Sequence, residues 1–175
     1  MVFVSPASIL PTRSEAVGLP ARDAVAAIRA SLARKLAADA AELAGLHAGA
    51  PDWEGLRHMA RDACCIVRHT IADTLADLPD APHDLVWQLS RDGAPEVGEP
   101  LIRLSSVLTE QDLLELVRSP PDPETRCAVA RRLNLAAPVA AALLQSGDRA
   151  AMRALQRNPT ANVPVDRTVG VIEAS

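Results

Sequence analysis

A short helical phrase recurs along this chain and constrains its fold more than any other feature. Each copy has an apolar residue, usually with a small neighbour, and a leucine that follows at helical spacing. The copies are Ile71-Ala72-x-x-Leu75, Val97-Gly98-x-x-Leu101, Val129-Ala130-x-x-Leu133 and Met152-x-x-Leu155. Because spacings of three and four place side chains on one helix face, the phrase predicts short amphipathic helices that stack on one another.

The whole chain is predicted to be all-α, since strand-like alternation is confined to short pieces of the C-terminal tail. We expect a loose arm over residues 1–19 and a hairpin of two long antiparallel helices over residues 20–79. A short, irregular helical-repeat stack is expected over residues 80–159, packed on the hairpin as one domain. Residues 160–175 form the tail.

Each hairpin helix has an apolar stripe with gaps of three, four or seven residues. The first stripe contains Val25, Ile28, Leu32, Leu36, Leu43 and Leu46. The second contains Trp53, Leu56, Ala60, Cys64, Val67, Ile71, Leu75 and Leu78. Asp52 is predicted to cap the second helix, which we expect to run without a break toward Pro79. The two helices are expected to pack together and could also form the seam of a homodimer.

Local signals predict where the later helices start. Thr109 and Asp112 have the spacing of a capping box, and Asp122-Pro123 resembles a cap followed by a first-turn proline. In the helix after Pro123, Val129 and Leu133 are predicted core residues. Arg68 and Arg126 recur with the phrase, so we expect them to brace neighbouring helices.

Composition limits the classes of function. Aromatic residues make up 2% of the chain, which favours thin helical layers built from Leu, Val, Ile and Ala. The net charge of −4 gives no global attraction to nucleic acid. Three cysteines without metal-site spacing are expected to be reduced thiols. With no signal peptide and no apolar run long enough for a membrane span, we expect a cytoplasmic protein.

No motif for catalysis or phosphate binding is present, so we expect neither an enzyme nor a cofactor. His58, Asp62, Cys65 and His69 would form one row on a continuous helix. That row is too long for a single metal ion, and we interpret it as a solvated face, with an incidental metal site as the alternative. His69 could also be a phospho-acceptor in a histidine phosphotransfer-like bundle, although its flanking residues fit this poorly.

The most distinctive surface feature is a predicted basic ridge. Arg149, Arg153 and Arg157 follow one another at intervals of four residues, and Arg131 and Arg132 lie on a nearby helix. Arginine forks give directional contacts to carboxylate or phosphate, so the ridge is our candidate partner-binding site. A solvated face and nucleic-acid binding are the alternatives; the lack of nearby aromatic residues disfavours the second.

The order of several motifs resembles a bacterial family catalogued as domain of unknown function 2336. The resemblance runs from Arg68 to Pro159 and rests on the following phrases: Ile71-Ala72-Asp73-x-Leu75, Ala81-Pro82, Pro100-Leu101-Ile102, Leu108-Thr109-x-x-Asp112-Leu113-Leu114, Arg126-x-x-Val129-Ala130-x-Arg132 and Gly147-Asp148. It implies HEAT-like helical repeats in a bacterial cytosolic protein and brings no activity. We therefore expect a non-catalytic adaptor or regulator that binds another protein, with a nucleic-acid-binding repeat protein or a phosphotransfer bundle as alternatives.

Overall fold

The computed structural model describes residues 21–46 and 52–163, which contain helices and no strand. The all-α prediction is therefore confirmed for these residues. The helices are α1 (Ala21–Leu46), α2 (Trp53–Met59), α3 (Cys65–Leu75), α4 (His83–Ser90), α5 (Pro95–Leu104), α6 (Glu110–Arg118), α7 (Thr125–Ala130), α8 (Ala137–Gln145) and α9 (Arg149–Gln156). The predicted arm (residues 1–19) and residues 164–175 of the tail lie outside the described residues, as does the expected helix end at Gly49 and Pro51.

The helices are arranged in two rows. In one row, α1 packs on α3, α3 on α5, α5 on α7 and α7 on α9. The other helices lie alongside: α4 packs on α5, α6 on α7, and α8 on α6. One continuous core of Leu, Val, Ile and Ala side chains runs between the rows, an arrangement compatible with a helical-repeat stack. Within the described residues, no helix combines the length and apolar character needed to cross a bilayer.

The predicted second long helix is wrong, because it is broken into α2 and α3. At the break, the Asp62 carboxylate accepts a hydrogen bond from the Cys64 N–H (2.8 Å). Cys64 itself has an extended backbone (φ −84°, ψ 118°). Asp side chains compete for backbone N–H groups in this way and favour turns over helix interiors. The apolar stripe survives the break, since Leu56, Ala60, Val67, Ile71 and Leu75 are all buried.

The first helix packs through a different face from the one predicted. Among the α1 side chains that the structure describes, Ala30 and Ala33 are buried (5% and 0% exposed), and α1 lies mainly against α3. By contrast, the predicted core residues Val25, Ile28 and Leu32 are 51%, 68% and 52% exposed, and Leu36 is half-buried. Small alanines allow helix backbones to approach closely, which explains the choice of face. The side chains of Leu43 and Leu46 lie outside the described residues.

Two of the predicted helix caps are confirmed, and the predicted start after Asp122 is wrong by two residues, because Pro123 lies in a turn and α7 begins at Thr125 after Glu124. The Asp52 carboxylate accepts from the Gly55 N–H (2.9 Å) and caps α2. At α6, Thr109 accepts from the Asp112 N–H while Asp112 accepts from the Thr109 N–H, so the capping box is complete. The Asp122 carboxylate accepts from the Glu124 and Thr125 N–H groups at the start of α7.

The predicted register of the third phrase is half right. Val129 is fully buried, but Leu133 is 64% exposed. The reason is that α7 ends at Ala130, and Asn134 then turns the chain in the left-handed region (φ 53°) that Asn tolerates. Leu135, 1% exposed, provides the next core side chain after the turn.

The prediction that Arg68 and Arg126 brace neighbouring helices is confirmed. Arg68 donates two hydrogen bonds to the Asp92 carboxylate (2.6 and 3.0 Å) and one to the Asp62 carbonyl (2.7 Å). Arg126 donates to the Val117 carbonyl (2.8 Å). Each arginine thereby ties the first turn of its own helix to the segment beside it.

Asp92, which pairs with Arg68, and Asp112, which pairs with His83, make the fold acid-sensitive. Burial raises the pKa of Asp92, but hydrogen bonds from Arg68 and the Ala94 N–H outweigh it and hold that pKa below its ordinary value. Burial also raises the pKa of Asp112, but hydrogen bonds from His83 and Thr109 outweigh this effect and hold that pKa below its ordinary value. A carboxyl whose pKa is lower in the folded state contributes stability above its unfolded pKa, and this is lost as pH falls through the folded pKa.

We therefore expect the melting temperature to change little between pH 7 and about pH 5 and to fall steeply below about pH 4. Asp92→Asn should cost about 1–2 kcal/mol at neutral pH, because it removes a charge-assisted pair, and should flatten the acid decline. Calorimetry or circular dichroism across this pH range provides the measurement. An acid decline of equal slope in wild type and Asp92→Asn would contradict the assignment.

Candidate functional site: the groove between α7 and α9

A surface groove of about 440 Å³ lies between α7 and α9. The two helices pack directly, with Ala151 and Leu155 of α9 buried in the core. The start of α9 is fixed by Asp148, whose carboxylate accepts from the Ala150 and Ala151 N–H groups (2.9 and 3.1 Å). Because the two helices pack directly, the backbone positions that carry the lining side chains are held relative to each other.

The groove combines an apolar floor with a basic rim. Three arginines and one acidic residue supply the charged side chains: Arg131, Arg153, Arg157 and Glu124. Small or apolar side chains supply most of the remaining lining: Cys127, Leu133, Ala150, Ala154 and Pro159. The exposed Leu133, a predicted core residue, thus belongs to the surface of the groove.

The rim arginines differ in how they are held. Arg131 pairs with Glu99 of α5 (3.4 Å), which also pairs with Arg103 (3.6 Å). Arg153 donates to the backbone carbonyl of Arg149, one turn earlier (3.2 Å). Among the residues that the structure describes, no carboxylate forms an ion pair with Arg153 or Arg157. Of the three arginines that line the groove, these two therefore have the most hydrogen-bonding capacity left for a ligand.

The predicted basic ridge is only partly one site. Arg131, Arg153 and Arg157 meet at the groove, whereas Arg149 lies with Met152 and Gln156 in a neighbouring hollow on α9. Arg132 is no part of an exposed ridge. It is half-buried and donates to the carbonyls of Ile102 (2.8 Å) and Ser105 (2.6 Å), and burial lowers its guanidinium pKa.

Sequence reasoning missed the residue that closes one end of the groove. The Asn158 amide donates to the carbonyls of Ala130 (2.9 Å) and Arg132 (2.7 Å), which α7 leaves unpaired where it ends. The sequence suggested only that Asn158-Pro159 stops α9. The side-chain amide of asparagine carries two N–H donors and can therefore bind two carbonyl groups. No neighbouring residue indicated that these carbonyls belong to Ala130 and Arg132.

Cys127 lines the groove but is poorly suited to nucleophilic chemistry. Its side chain is 4% exposed. Burial raises the pKa of the thiol, and the nearby carboxylates of Glu124 and Asp148 raise it further. The thiol therefore stays protonated near neutral pH, and the thiolate is the reactive form.

The four residues considered for metal binding have separate surroundings. Since the helix breaks between α2 and α3, His58 no longer shares a helix face with Cys65 and His69. Asp62 pairs with Arg29 (3.4 Å) and caps the turn before α3. The His69 Nδ1–H donates to the Glu96 carbonyl (2.7 Å). Within the described residues, no group of three His, Cys, Asp or Glu side chains is placed to share a metal ion.

Residues 97–175 match the model of a family described as an uncharacterised protein conserved in bacteria (DUF2336). No curated protein and no solved structure matches the chain. The match begins at Val97, so the phrases around Ile71 and Ala81-Pro82 lie outside it, whereas both helices of the groove lie inside it. The resemblance predicted from the sequence motifs is thus confirmed, and residues 97–175 carry the signature of the bacterial DUF2336 family.

Proposed function

We propose that this protein is a non-catalytic adaptor or regulator of the bacterial cytoplasm that binds an acidic segment of another protein in the groove between α7 and α9. The observation that carries the proposal is the pair Arg153 and Arg157 beside an apolar floor. In this proposal the helices form a HEAT-like stack, and α7 and α9 are the part of the stack that receives the partner.

The chemistry of the groove favours a peptide as ligand. Arginine forks bind carboxylates in fixed geometry, while Leu133, Ala154 and Pro159 offer apolar surface that a peptide side chain can cover. A segment with two or three acidic residues around one aliphatic residue would use both features. The Glu99 and Glu124 carboxylates on the α5 side would repel acidic residues there, so the acidic part of the segment should lie over α9.

Nucleic acid and catalysis fit the groove less well. Among the described residues that line it, none is aromatic, so a base has no ring to stack on. The same lining residues offer Glu124 and a protonated Cys127 thiol, but no paired nucleophile and base. A phosphotransfer role for His69 is also disfavoured, because one ring nitrogen donates to Glu96 and the side chain is half-buried.

Affinity capture from nuclease-treated bacterial lysate tests the proposal. Tagged wild type is compared with Arg153→Glu/Arg157→Glu and with a matched control, Arg61→Glu/Arg118→Glu. The control reverses two arginines that are also exposed and lie outside the groove, so both variants change net charge equally. We expect one protein to be retained by wild type and control at physiological salt and to fall at least tenfold with the groove variant, because reversal turns attraction into repulsion.

Two outcomes would overturn the proposal. One is equal loss with both double variants, which would indicate only a general charge effect. The other is salt-sensitive retention of the wild type on heparin together with recovery of nucleic acid when nuclease is omitted, which would favour the nucleic-acid alternative. If wild type and control do capture one protein, a synthetic peptide from its acidic segment should compete with that protein for the groove in a fluorescence titration.

A further inference from the structure

We propose that two copies of this chain associate face to face, with α3 of each copy lying on α9 of the other. The inference rests on the proposed function in one respect, since α3 of the second copy would occupy the groove where the partner binds. It starts from the exposed side chains of the row formed by α3, α5, α7 and α9, whose charge changes sign from one end to the other.

The four helices of this row run in the same direction. Near the start of α3, Arg68 pairs with Asp92, which lies just before α5 (2.6 Å). At the other ends of the helices, Arg132 follows α7 and donates to two carbonyls at the end of α5. Asn158 follows α9 and donates in the same way to two carbonyls at the end of α7. Equivalent positions of the four helices therefore lie at similar heights along the helix direction.

The repeated phrase identifies the side chains that share one exposed face of the row. Each helix buries an equivalent residue in the core, and these residues are Ile71, Val97, Val129 and Ala151. Two positions later a helical side chain points about 200° away from the buried one. The residues at that position are exposed or partly exposed, and they are Asp73, Glu99, Arg131 and Arg153. This surface, the row face, is thus acidic on α3 and basic on α9.

Each end of the row face carries a second charge one turn later. Asp77 follows Asp73 on the α3 side, and Arg157 follows Arg153 on the α9 side. Four residues of helix rise about 6 Å, so the two ends carry pairs of opposite charge with the same spacing. All four side chains belong to exposed residues, and within the described part of the chain none of them forms an ion pair. The two ends are therefore complementary in charge and in register.

Two symmetric arrangements align the row faces of two copies, and only one brings opposite charges together. With a two-fold axis parallel to the helices, α3 lies opposite α9 of the second copy and the heights are preserved. Asp73 then faces Arg153 of the second copy, and Asp77 faces Arg157. With the axis along the row, each helix would face its own copy, and like charges would meet. Charge complementarity therefore selects the first arrangement.

The middle of the row face is compatible with the same arrangement. Glu99 on α5 pairs with Arg131 on α7 of its own chain (3.4 Å). Because α5 lies opposite α7 of the second copy, each Glu99 also faces an Arg131 of the other chain. Near the end of the groove, the exposed Pro79 of the second copy approaches Pro159 and supplies apolar contact.

The symmetry and the kind of contact determine how the association behaves. A two-fold pair uses the acidic and the basic end of both copies, so the assembly stops at two. Exposed ion pairs are individually weak and are screened by salt. We therefore expect a dissociation constant in the micromolar range at low salt, which rises about tenfold or more at high salt. Since the same arginines would bind the partner, self-association and partner binding exclude each other.

Sedimentation equilibrium of the purified full chain, from about 1 to 200 µM at low salt, tests the inference. The wild type should approach twice the 18.5 kDa of one chain. Asp73→Arg/Asp77→Arg and Arg153→Glu/Arg157→Glu should each weaken association at least tenfold, because like charges then meet at both contacts. The matched control Arg61→Glu/Arg118→Glu should associate like wild type. Circular dichroism checks that every variant keeps the helix content of wild type, as exposed positions should allow.

A chain with all four substitutions tests the pairing itself. Asp73→Arg/Asp77→Arg/Arg153→Glu/Arg157→Glu exchanges the acidic and basic ends while the net charge stays at −4, so this variant should dimerise again. The inference is overturned by a monomeric wild type, by a dimer that survives either double variant, by a folded fourfold variant that stays monomeric, or by a mass that grows beyond two copies. A monomeric wild type would leave capture of a partner untouched, whereas a dimer that captures no other protein would support the inference and overturn the proposed function.

Discussion

Val129→Asp should leave this protein unfolded, whereas Leu133→Asp should melt within a few degrees of wild type. The Val129 side chain projects from α7 into the core and is fully buried, whereas Leu133, four residues further along the chain, is 64% exposed. A buried carboxylate without a partner must either ionise in an apolar environment or bind a proton, and both are unfavourable. The expected loss of about 5 kcal/mol or more is comparable to the whole stability of a small domain.

Circular dichroism and thermal melting of both variants provide the comparison. The pair is informative because both positions belong to the same helical phrase, and a regular helix through Leu133 would bury both. A folded Val129→Asp protein, or a Leu133→Asp protein that fails to fold, would show that α7 does not end at Ala130.

Arg132→Met should lower the free energy of unfolding by about 2–4 kcal/mol. The Arg132 guanidinium donates to the carbonyls of Ile102 and Ser105 at the C-terminal end of α5. Methionine retains much of the side-chain volume but removes both charge-assisted hydrogen bonds, so these carbonyls lose their partner. For a chain of this size, such a loss corresponds to a fall in melting temperature of roughly 5–15 °C.

The neighbouring residue supplies the control for this prediction. The Arg131 side chain is 49% exposed and, among the described residues, forms an ion pair only with the partly exposed Glu99. Arg131→Met should therefore change stability by no more than about 0.5 kcal/mol. Chemical denaturation of the two variants measures the difference. Equal effects would mean that the half-buried position of Arg132 does not stabilise α5.

The sequence predicted the helical class and most of the later helix starts, because these depend on local signals. Asp52 and Thr109 each cap a helix through an N–H group three residues later, so their roles can be predicted from neighbouring residues alone. The buried stripe from Leu56 to Leu75 was also predictable, since burial follows helical spacing even across a short break.

The errors arose where a residue's environment depends on distant parts of the chain. Spacing alone marks both the Ala30–Ala33 face and the Val25–Leu32 face of α1 as apolar, and packing on α3 decides which is buried. Arg131 and Arg132 are adjacent and chemically identical, yet one lies in the groove and the other braces α5 from about thirty residues away. The extent of the groove could not be predicted either, because α7 and α9 meet only in the folded chain.

The central claim, that the groove between α7 and α9 receives another protein, is tested most directly by photo-crosslinking in living bacteria. Leu133 is replaced by p-benzoylphenylalanine, which an exposed position in the groove should tolerate, and Leu144 on α8 serves as an exposed control outside it. We predict that one discrete protein is crosslinked at position 133 and that this protein is not crosslinked at position 144. The crosslink at position 133 should be lost when Arg153→Glu/Arg157→Glu is added. The absence of a crosslink from position 133, or a crosslink that persists in the arginine variant, would contradict the account.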